Sequence, residues 1–465
     1  MEVVPRVREA LTTLLGAEGV TFSPHHHPDD LHDETLHRER VEPLAVTFPR
    51  STSDVVGIVH VARANGLPIT PRGSGTGLSG GATPVAGGIV ISFARMNHVL
   101  AINANDHVAV VEPGVSLREL DEALVPHGLR YPVYPGELSG SLGGNVATNA
   151  GGMRAVRHGV TRHHVIGLEL VLVDGTTLRT GGPVVKSSSG YDLTQLMVGS
   201  EGTLALVTEV TLRLSPRFEH AVTVLVPFAR LDDLMGVVPR VVASGLEPSI
   251  LEYIDLLTMS AITRAADLEL GVADDVGART SAYLVIVLET RTREQLDSDV
   301  TALAELVDDA GALDVYVLPE SAAVRLIEAR ERAFWVAKAA GANEILDVVV
   351  PRSRVPAFLE EAARLGSVHG AIVTGCGHVG DGNVHLSIFL DDDDRRAALL
   401  HAIFAAGLAL HGQISGEHGI GRDKQGPYLA LTDPVLIEVQ RRLKAVFDPD
   451  GRLNPYRHLD DRPRP

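Results

Sequence analysis

The chain contains very little cysteine. Cys376 is the only one among 465 residues, which excludes a disulfide framework, a cysteine-ligated iron–sulfur cluster and an all-cysteine zinc site within this chain. The sequence also lacks a long apolar run. The longest, residues 397–410, is interrupted by His401 and is too short to cross a bilayer. We therefore expect no membrane span.

Positive charge is scarce as well. The sequence has 41 Lys and Arg against 59 Asp and Glu, which gives a formal net charge of −18, and it contains no long basic run. Nucleic acid and anionic membranes are therefore not expected as partners. The first residues include acidic side chains and lack the apolar core of a signal peptide, which predicts a cytoplasmic protein.

The length allows two or three domains, and the sequence pattern changes twice. Residues 1–215 alternate short β-runs with helical patterns and are rich in glycine; within them, Asp174-Gly175 predicts a β-hairpin. From residue 216, strands and helices alternate as in a ferredoxin-like layer. Residues 426–465 have the pattern of an amphipathic helix followed by a loop. We predict an α+β fold with three segments, 1–215, 216–425 and 426–465.

Four segments in the first part of the chain consist mostly of small residues. Residues 71–81 contain the GxGxxG pattern, but Pro84 follows where a Rossmann helix should begin, and the acidic partner of that motif is missing. Backbone N–H groups of such a loop can instead hold a pyrophosphate without a helix. The other segments are 134–152, 189–193 and 199–204. Because small residues let the main chain approach a flat ligand closely, the four together indicate one large, extended ligand.

The last quarter of the chain carries a group of imidazoles and a carboxylate. His378 and His385 flank a tight Gly-Asp-Gly turn, and Glu417-His418 follows in a second glycine-rich segment. Such donors suit zinc or a similar first-row divalent metal, and a three-ligand site leaves a position open for substrate. The alternative is a set of hydrogen-bonded histidines that only shape the turn. By themselves, these residues fit hydrolysis as well as redox chemistry.

Six motifs in a fixed order extend over most of the chain. They are PRGSGTGLSGGATP, PGELSGSLGGNVATNAGG, SSGYDLTQLMVGSEGTLALVTEVTLRL, GHVGDGNVH, GEHGIG and FDPDGRLNP. The series, from about residue 43 to 454, resembles the FAD-linked oxidase family with its vanillyl-alcohol-oxidase-type FAD fold. The similarity is to the branch of D-lactate dehydrogenases, glycolate oxidase flavoprotein subunits and D-2-hydroxyglutarate dehydrogenases. It implies a two-part FAD-binding domain, formed by the first segment and the tail, with a ferredoxin-like α+β substrate cap between them.

The resemblance also implies which residues hold the FAD. The pyrophosphate would be bound by Arg72, Gly73, Ser74, Gly75, Thr76, Gly77 and Ser79. Further contacts would come from Pro135, Gly136, Ser141, Gly144, Asn145, Thr148, Gly152, Glu201, Gly202, Val207 and Asn454. Relatives with covalent flavin have a histidine at the position of Thr76, so non-covalent FAD is expected.

Members of this branch that bind a metal use both histidines of the HxGDGNxH motif and the glutamate of EHG. The resemblance therefore implies a site formed by His378, His385 and Glu417, with zinc as the expected ion and manganese or iron as alternatives. His418 would be the base, and Asn383 would lie near the flavin or the substrate hydroxyl. A bound cation lowers the pKa of a coordinated hydroxyl, and an unligated imidazole takes its proton as hydride leaves for the flavin.

Two positions depart from the family pattern for substrate binding. Relatives often have an arginine three residues after the tryptophan of the cap helix, where this chain has Lys338; Arg352 is the other candidate cation. A lysine of some hydroxyglutarate-type relatives is replaced by Ile345. A distal carboxylate therefore lacks an obvious partner, which favours a small monocarboxylate. Both cations could equally be surface ion-pair residues.

These observations predict a flavin-dependent dehydrogenase that oxidises a D-2-hydroxy acid, such as D-lactate or glycolate, to the 2-oxo acid. The electrons must leave to an external acceptor: a quinone, an electron-transfer flavoprotein, a partner subunit or oxygen. A homodimer is also an open option. The alternative functions are a D-2-hydroxyglutarate-type dehydrogenase, a peroxide-forming flavin alcohol oxidase, a flavoprotein subunit of a multi-protein oxidase, and a metal-dependent hydrolase with purely structural glycine loops.

Overall fold

The computed structural model describes residues 3–36, 40–455, 457 and 459. Its α-helices are α1 (Val3–Leu15), α2 (Thr52–Asn65), α3 (Leu117–Leu124), α4 (Leu142–Thr148), α5 (Ala155–His158), α6 (Leu193–Met197), α7 (Leu231–Ala243), α8 (Leu256–Ala265), α9 (Asp274–Gly277), α10 (Arg293–Asp308), α11 (Glu320–Glu331), α12 (Ala333–Ala339), α13 (Val355–His369), α14 (Asp393–Ala409), α15 (Gln425–Leu431) and α16 (Pro434–Phe447). In this part of the chain no helix is long and apolar enough to cross a membrane.

The first sheet carries the first glycine-rich loop. Its strands are β1 (Val20–Phe22), β2 (Ala45–Thr47), β3 (Ile69–Arg72) and β4 (Ile89–Ser92), in the order β1-β2-β4-β3. β4 pairs in parallel with β2 and with β3. Helix α2 connects β2 to β3; it begins after the Ser51 side-chain cap and ends at Gly66, which has the left-handed conformation that glycine tolerates best.

The second sheet is antiparallel and completes the first part of the chain. Its strands are β5 (Val99–Asn103), β6 (Val108–Val111), β8 (Val165–Val171), β9 (Thr177–Gly181) and β10 (Leu206–Arg213), in the order β5-β6-β10-β8-β9; β7 (Leu129–Arg130) and β11 (Ser215–Pro216) form a separate ribbon. β8 and β9 form the hairpin predicted at Asp174-Gly175, where the Leu172 N–H donates to the Thr176 carbonyl at 2.9 Å. Apolar residues of α3 and α4 pack against this sheet.

The third sheet forms the middle of the chain. Its strands are β12 (His220–Phe228), β13 (Ile250–Asp255), β14 (Ala282–Thr290), β15 (Tyr316–Val317), β16 (Glu344–Val349), β17 (Ile372–Gly377) and β18 (Asn383–Phe389), in the order β15-β12-β14-β13-β17-β18-β16. The first four have the strand order of a ferredoxin-like unit, with α7 and α10 as its crossover helices. The predicted ferredoxin-like cap is therefore confirmed. β17, β18 and β16 extend its sheet and carry the motif with His378 and His385.

The C-terminal segment packs on the first part of the chain. The Ile69 N–H donates to the Arg452 carbonyl, and the Asn454 N–H donates to the Ile69 carbonyl, both at 2.8 Å. Lys444 on α16 donates to the Thr203 carbonyl at 2.6 Å. The C-terminal segment and the first part of the chain therefore together form the wall around the first glycine-rich loop. The predicted tail segment also includes residues 456, 458 and 460–465, which lie outside the described residues.

Candidate active site

Three of the four small-residue segments, 71–81, 134–152 and 199–204, line one cavity with an empty volume of about 1390 Å³. Contrary to the prediction, the segment 189–193 is not in the wall of this cavity, and Tyr191 is 96% exposed. The residues predicted to hold FAD all line the cavity except Gly136 and Gly152. Gly136 lines a neighbouring cavity, and Gly152 packs so closely that an added Cβ would lie 1.8 Å from the Tyr134 carbonyl oxygen. The Arg72 guanidinium is already held by the carbonyl oxygens of Asp29 and His32, at 2.6 and 2.8 Å.

Two of these segments meet through Ser141, which explains their composition. The Ser141 hydroxyl oxygen accepts hydrogen bonds from the N–H groups of Gly144 and Ser74, at 3.3 and 3.2 Å. A Cβ at Gly73 would lie 2.1 Å from the Ser141 Oγ, so this approach requires glycine. The result is a wall made mostly of main chain and small side chains, which fits a large flat ligand such as FAD.

The Glu417-His418 segment is attached to this wall by two residues that the sequence assigns to FAD. The Ser79 hydroxyl donates to the carbonyl oxygens of His418 and Gly419, both at 3.2 Å. The Glu201 carboxylate accepts hydrogen bonds from the N–H groups of Ile420 and Gly421, at 2.8 and 2.7 Å. These bonds hold the segment at the edge of the first cavity.

A second cavity, with an empty volume of about 1420 Å³, adjoins the first. The two cavities share Thr76, Leu78, Pro135, Glu137, Glu417 and His418. His378 and His385 line only the second cavity. A ligand in the second cavity can therefore contact the histidine cluster and face the FAD cavity at the same time.

The structure brings the three predicted metal ligands together. His385 Nε2 lies 3.1 Å from His378 Nε2 and 3.2 Å from Glu417 Oε1, and His378 Nε2 lies 3.3 Å from the same oxygen. His418 packs beside them, with its ring stacked on His385 at 5.2 Å between centroids. The His418 Nε2 lies 3.7 Å from Glu417 Oε1.

A buried ion pair, Glu252 with Arg330, holds the His378 ring at its Nδ1 atom. His378 Nδ1 lies 2.5 Å from Glu252 Oε1, and Arg330 Nε donates to the other Glu252 oxygen at 2.9 Å. Glu252 is fully buried on β13, and Arg330 is buried at the end of α11. An imidazole whose Nδ1 is fixed in this way presents Nε2 to the cavity, which is the arrangement of a carboxylate–histidine–metal triad.

Asp347 on β16 organises the Glu417-His418 segment through the backbone. One carboxylate oxygen, Oδ2, accepts hydrogen bonds from the N–H groups of Glu417 at 3.0 Å and His418 at 2.8 Å, and from the Ser415 hydroxyl at 2.6 Å. Burial alone would raise the pKa of Asp347, but the imidazolium form of His418 and the Lys424 ammonium lower it below its ordinary value. A permanent carboxylate therefore fixes the loop.

Burial and neighbouring charges shift the pKa values of His418 and His378 in opposite directions. Burial, the largest influence, lowers the pKa of His418 to about 4, although Asp347 acts in the opposite direction. His418 is therefore neutral near pH 7 and can accept a proton. Burial alone would also lower the pKa of His378, but the carboxylates of Glu252 and Glu417 raise it well above its ordinary value. Negative charge thus concentrates where a cation would bind.

The cluster fits a divalent cation. His378, His385 and Glu417 each offer a ligand atom, and these atoms all lie within 4.8 Å of one another. The second carboxylate oxygen of Glu417 is buried and has no hydrogen-bond partner among the described residues. Asp347, His385 and His418 form an overlapping group that meets the same criterion. Imidazole nitrogens with one carboxylate are the donor set of zinc and similar ions.

The remaining predicted site residues are not in the wall of either cavity. Asn383 is buried, but it packs behind Gly416, where an added Cβ would lie 2.7 Å from the Asn383 side chain. The Lys338 ammonium lies 3.3 Å from the Glu34 carboxylate and over the Trp335 ring. Arg352 is exposed in the turn before α13. The structure therefore does not bring the two predicted substrate cations to the cluster.

Several charged residues of the site were not predicted from the sequence, among them Glu252, Arg330, Glu331 and Asp347. Arg330 and Glu331 line the second cavity. Glu252 and Asp347 each interrupt an apolar β-run, in ILEYID and EILDVVV. An acidic side chain at a buried strand position is rare without a partner. The sequence alone could therefore have identified Glu252 and Asp347 as residues with specific partners. The helix that carries Arg330 and Glu331 gives no comparable signal.

Glu331 provides a pH-dependent prediction. Burial raises the pKa of this carboxyl to about 7, and it accepts a hydrogen bond from the Tyr134 hydroxyl. Its contribution to stability is therefore complete below its unfolded-state pKa and is lost as the pH rises towards 7. We expect Glu331→Gln to raise Tm relative to wild type by about 1–2 °C at pH 8 and by less at pH 5, because the site is partly exposed.

Differential scanning calorimetry of the FAD-loaded protein at both pH values measures this effect. Glu328→Gln, at an exposed position of the same helix, is the matched control and should shift Tm equally at pH 5 and pH 8. A Glu331→Gln shift that is the same at both pH values would show that Glu331 titrates normally.

The fold is that of the vanillyl-alcohol-oxidase-type flavoproteins. A crystal structure of p-cresol methylhydroxylase with substrate bound matches this chain with a TM-score of 0.79, over 99% of this chain and 97% of that chain, at 17% sequence identity. The predicted fold class is thereby confirmed. The chain therefore has the fold of these flavoproteins, with an α+β cap.

The sequence comparisons define the family. The family model "FAD binding domain" matches residues 43–181, and "FAD linked oxidases, C-terminal domain" matches residues 217–458. An uncharacterized FAD-linked oxidoreductase of Mycobacterium tuberculosis is 52% identical over 429 residues, which is 92% of this chain and 94% of the relative. A D-lactate dehydrogenase of Anaerostipes hadrus is 35% identical over 445 residues, which is 92% of each chain. The chain belongs to the FAD-linked oxidase family and is an FAD-linked oxidoreductase, as the resemblance predicts.

Proposed function

We propose that this protein oxidises a D-2-hydroxy acid to the 2-oxo acid, with non-covalent FAD and a divalent cation as its cofactors. One observation carries the proposal: Glu417 and His418 lie in the wall of both cavities. A substrate carbon held beside these residues also faces the flavin cavity. A hydrolase needs no such connection between a metal cluster and a flavin cavity.

Each residue of the site would have a separate role in the reaction. FAD, when bound, supplies a two-electron acceptor, and the cation, when bound, supplies a Lewis acid that acidifies the substrate hydroxyl. His378, His385 and Glu417 would hold the cation. His418, which burial keeps neutral near pH 7, would take the hydroxyl proton at one ring nitrogen. Asp347 positions it by fixing the backbone of the loop.

The balance of the reaction requires an external electron acceptor. The 2-hydroxy acid loses a hydride from C2 and a proton from its hydroxyl, and the C–O single bond becomes a carbonyl. A quinone, an electron-transfer flavoprotein or a partner subunit would then reoxidise the flavin. The D-lactate dehydrogenase among the relatives, at 35% identity, supports a 2-hydroxy acid as the substrate, and Thr76 at the cavity wall supports non-covalent flavin.

Product analysis tests the proposal. The purified holoprotein is incubated with D- and L-2-hydroxy acids and a soluble quinone analogue, and the 2-oxo acid is quantified together with peroxide. We expect 2-oxo acid from the D-enantiomers only, with peroxide below one equivalent of product. Product formed with stoichiometric peroxide and no use of the quinone would support the oxidase alternative. Absence of a 2-oxo acid from every D-2-hydroxy acid would refute the proposed activity.

A further inference from the structure

The second cavity combines one cluster of ionisable side chains with a wall that is mainly apolar. The cluster consists of His378, His385, Glu417 and His418. The rest of the wall is mainly aliphatic and aromatic, from α8, α12 and the strands next to them. The methyl group of lactate, or the hydrogen of glycolate, would leave most of this apolar wall without a contact.

The separation of ionisable and apolar side chains follows from the alternation of side chains on two paired strands. On β16, Ile345 and Asp347 are on the same face, because strand side chains alternate. On β18, His385, Ser387 and Phe389 share a face in the same way. Asp347 pairs with His385, and Ile345 pairs with Ser387. On this face of the two strands, the ionisable side chains therefore lie at one end, and Ile345 and Phe389 lie further from them. Phe389 lies about 13 Å along the strand from His385.

The mouth of the cavity is apolar as well. Leu257, Trp335 and Ile372 line the cavity and are 62%, 40% and 61% exposed. Several large exposed apolar side chains around one opening are characteristic of a binding site for an apolar group.

The charges in the wall disfavour a second carboxylate on the ligand. Arg330 is the sole Lys or Arg among the described residues that line the cavity, and it pairs with Glu252 at 2.8 Å. Lys338 is held by Glu34 instead. Glu137 adds an acidic group to the same wall, so a distal carboxylate would meet like charge and no cation that lacks an acidic partner.

From this arrangement we infer that the substrate is a 2-hydroxy acid with a bulky apolar side chain, branched or aromatic. The inference rests on the proposed function and makes its substrate class specific. The carboxylate and hydroxyl of the substrate bind at the histidine cluster, and its side chain lies against Ile345, Phe389 and the α12 residues. The bonds broken and formed are those of the proposed oxidation; only the occupant of the apolar end is new.

Steady-state kinetics with a graded substrate series tests the inference. The holoprotein is assayed with D-lactate, D-2-hydroxy-4-methylpentanoate, D-3-phenyllactate and D-2-hydroxyglutarate. Since an additional methylene in an apolar pocket is worth roughly tenfold or more in discrimination, we expect kcat/KM for the branched or aromatic acid to exceed that for D-lactate at least tenfold. D-2-hydroxyglutarate should be the poorest substrate. Equal or higher kcat/KM for D-lactate or D-2-hydroxyglutarate would overturn the inference.

Binding can be measured without turnover because Trp335 is the only tryptophan of the chain and lines the cavity. Its fluorescence is titrated with 4-methyl-2-oxopentanoate, with pyruvate and with a soluble quinone analogue. We expect at least tenfold tighter binding of 4-methyl-2-oxopentanoate than of pyruvate. A response to the quinone analogue alone would assign the cavity to the electron acceptor and overturn the inference.

A single substitution should invert the preference. Ile345→Lys places an ammonium group at a half-buried cavity position, where it can pair with a distal carboxylate. We expect it to raise kcat/KM for D-2-hydroxyglutarate at least tenfold and to lower that for D-2-hydroxy-4-methylpentanoate at least tenfold. Val368→Lys, at an exposed position of α13, is the control and should change neither value. Unchanged selectivity in a folded, FAD-loaded Ile345→Lys protein would overturn the inference.

Different experimental results would refute the proposed function and the inferred substrate class. If no 2-hydroxy acid is oxidised, the proposed function is wrong, and the fluorescence titration alone decides whether the cavity prefers an apolar ligand. If all the acids are oxidised with similar kcat/KM, the proposed function stands and the inferred substrate class is wrong.

Discussion

Replacing His418 by glutamine is expected to slow reduction of the bound flavin by at least about 10²-fold. The partly buried imidazole lines both cavities. It is neutral near pH 7 because its pKa is lowered to about 4, so it can accept the hydroxyl proton, whereas an amide cannot. The fold should be retained, because the hydrogen bond from the His418 backbone N–H to Asp347 does not depend on the ring. Anaerobic stopped-flow absorbance with a saturating D-2-hydroxy acid measures the rate.

His401→Gln is the matched control for this experiment. His401 is exposed on α14, and its replacement should leave the reduction rate within about twofold of wild type. Both variants are compared at equal FAD content, which separates loss of the base from loss of the cofactor. If the His418→Gln protein reduces its flavin as fast as wild type, His418 is not the base.

The second large effect is expected for Glu417→Gln. Glu417 supplies the only carboxylate among the three grouped residues His378, His385 and Glu417, and its second oxygen has no other partner among the described residues. A neutral amide oxygen is a weaker ligand for a divalent cation. Because altering even an outer partner of a metal ligand typically costs 10–100-fold, we expect a loss of at least about 10²-fold in kcat/KM.

Metal content separates this effect from a general loss of structure. Elemental analysis after dialysis should find a divalent metal in the wild type and in Glu360→Gln, an exposed control on α13, but only background levels in Glu417→Gln. Chelator treatment of the wild type should reproduce the loss of activity, and zinc or manganese should restore it. Full activity of a metal-free wild-type protein would contradict the role given to the cluster.

The parts of the site built from the main chain could be predicted from the sequence. A wall that approaches a flat ligand needs runs of glycine and other small residues, and such runs are visible without knowing the fold. The predicted FAD residues accordingly line one cavity, apart from Gly136 and Gly152. The hairpin at Asp174-Gly175 was predictable for a similar reason, since its turn requires those residue types locally.

Residues that act through partners distant in the sequence were harder to predict. Lys338 follows the family spacing, yet its ammonium is held by Glu34, 304 residues away. Glu201 has the position of a flavin contact, but its carboxylate holds the backbone of Ile420 and Gly421. Such pairings depend on how the cap packs on the first part of the chain, and no local pattern encodes that packing.

We propose that the loop with Glu417 and His418 connects the metal cluster to the flavin, so that substrate bound at the cluster reduces the flavin directly. The most direct measurement is anaerobic mixing of metal-loaded, FAD-containing protein with D-2-hydroxy-4-methylpentanoate while the flavin absorbance is recorded. We expect complete bleaching by the D-enantiomer, none by the L-enantiomer, and a rate at least about 10²-fold lower after the metal is removed. An oxidised flavin spectrum that is unchanged by this acid, by D-lactate and by D-2-hydroxyglutarate would contradict it.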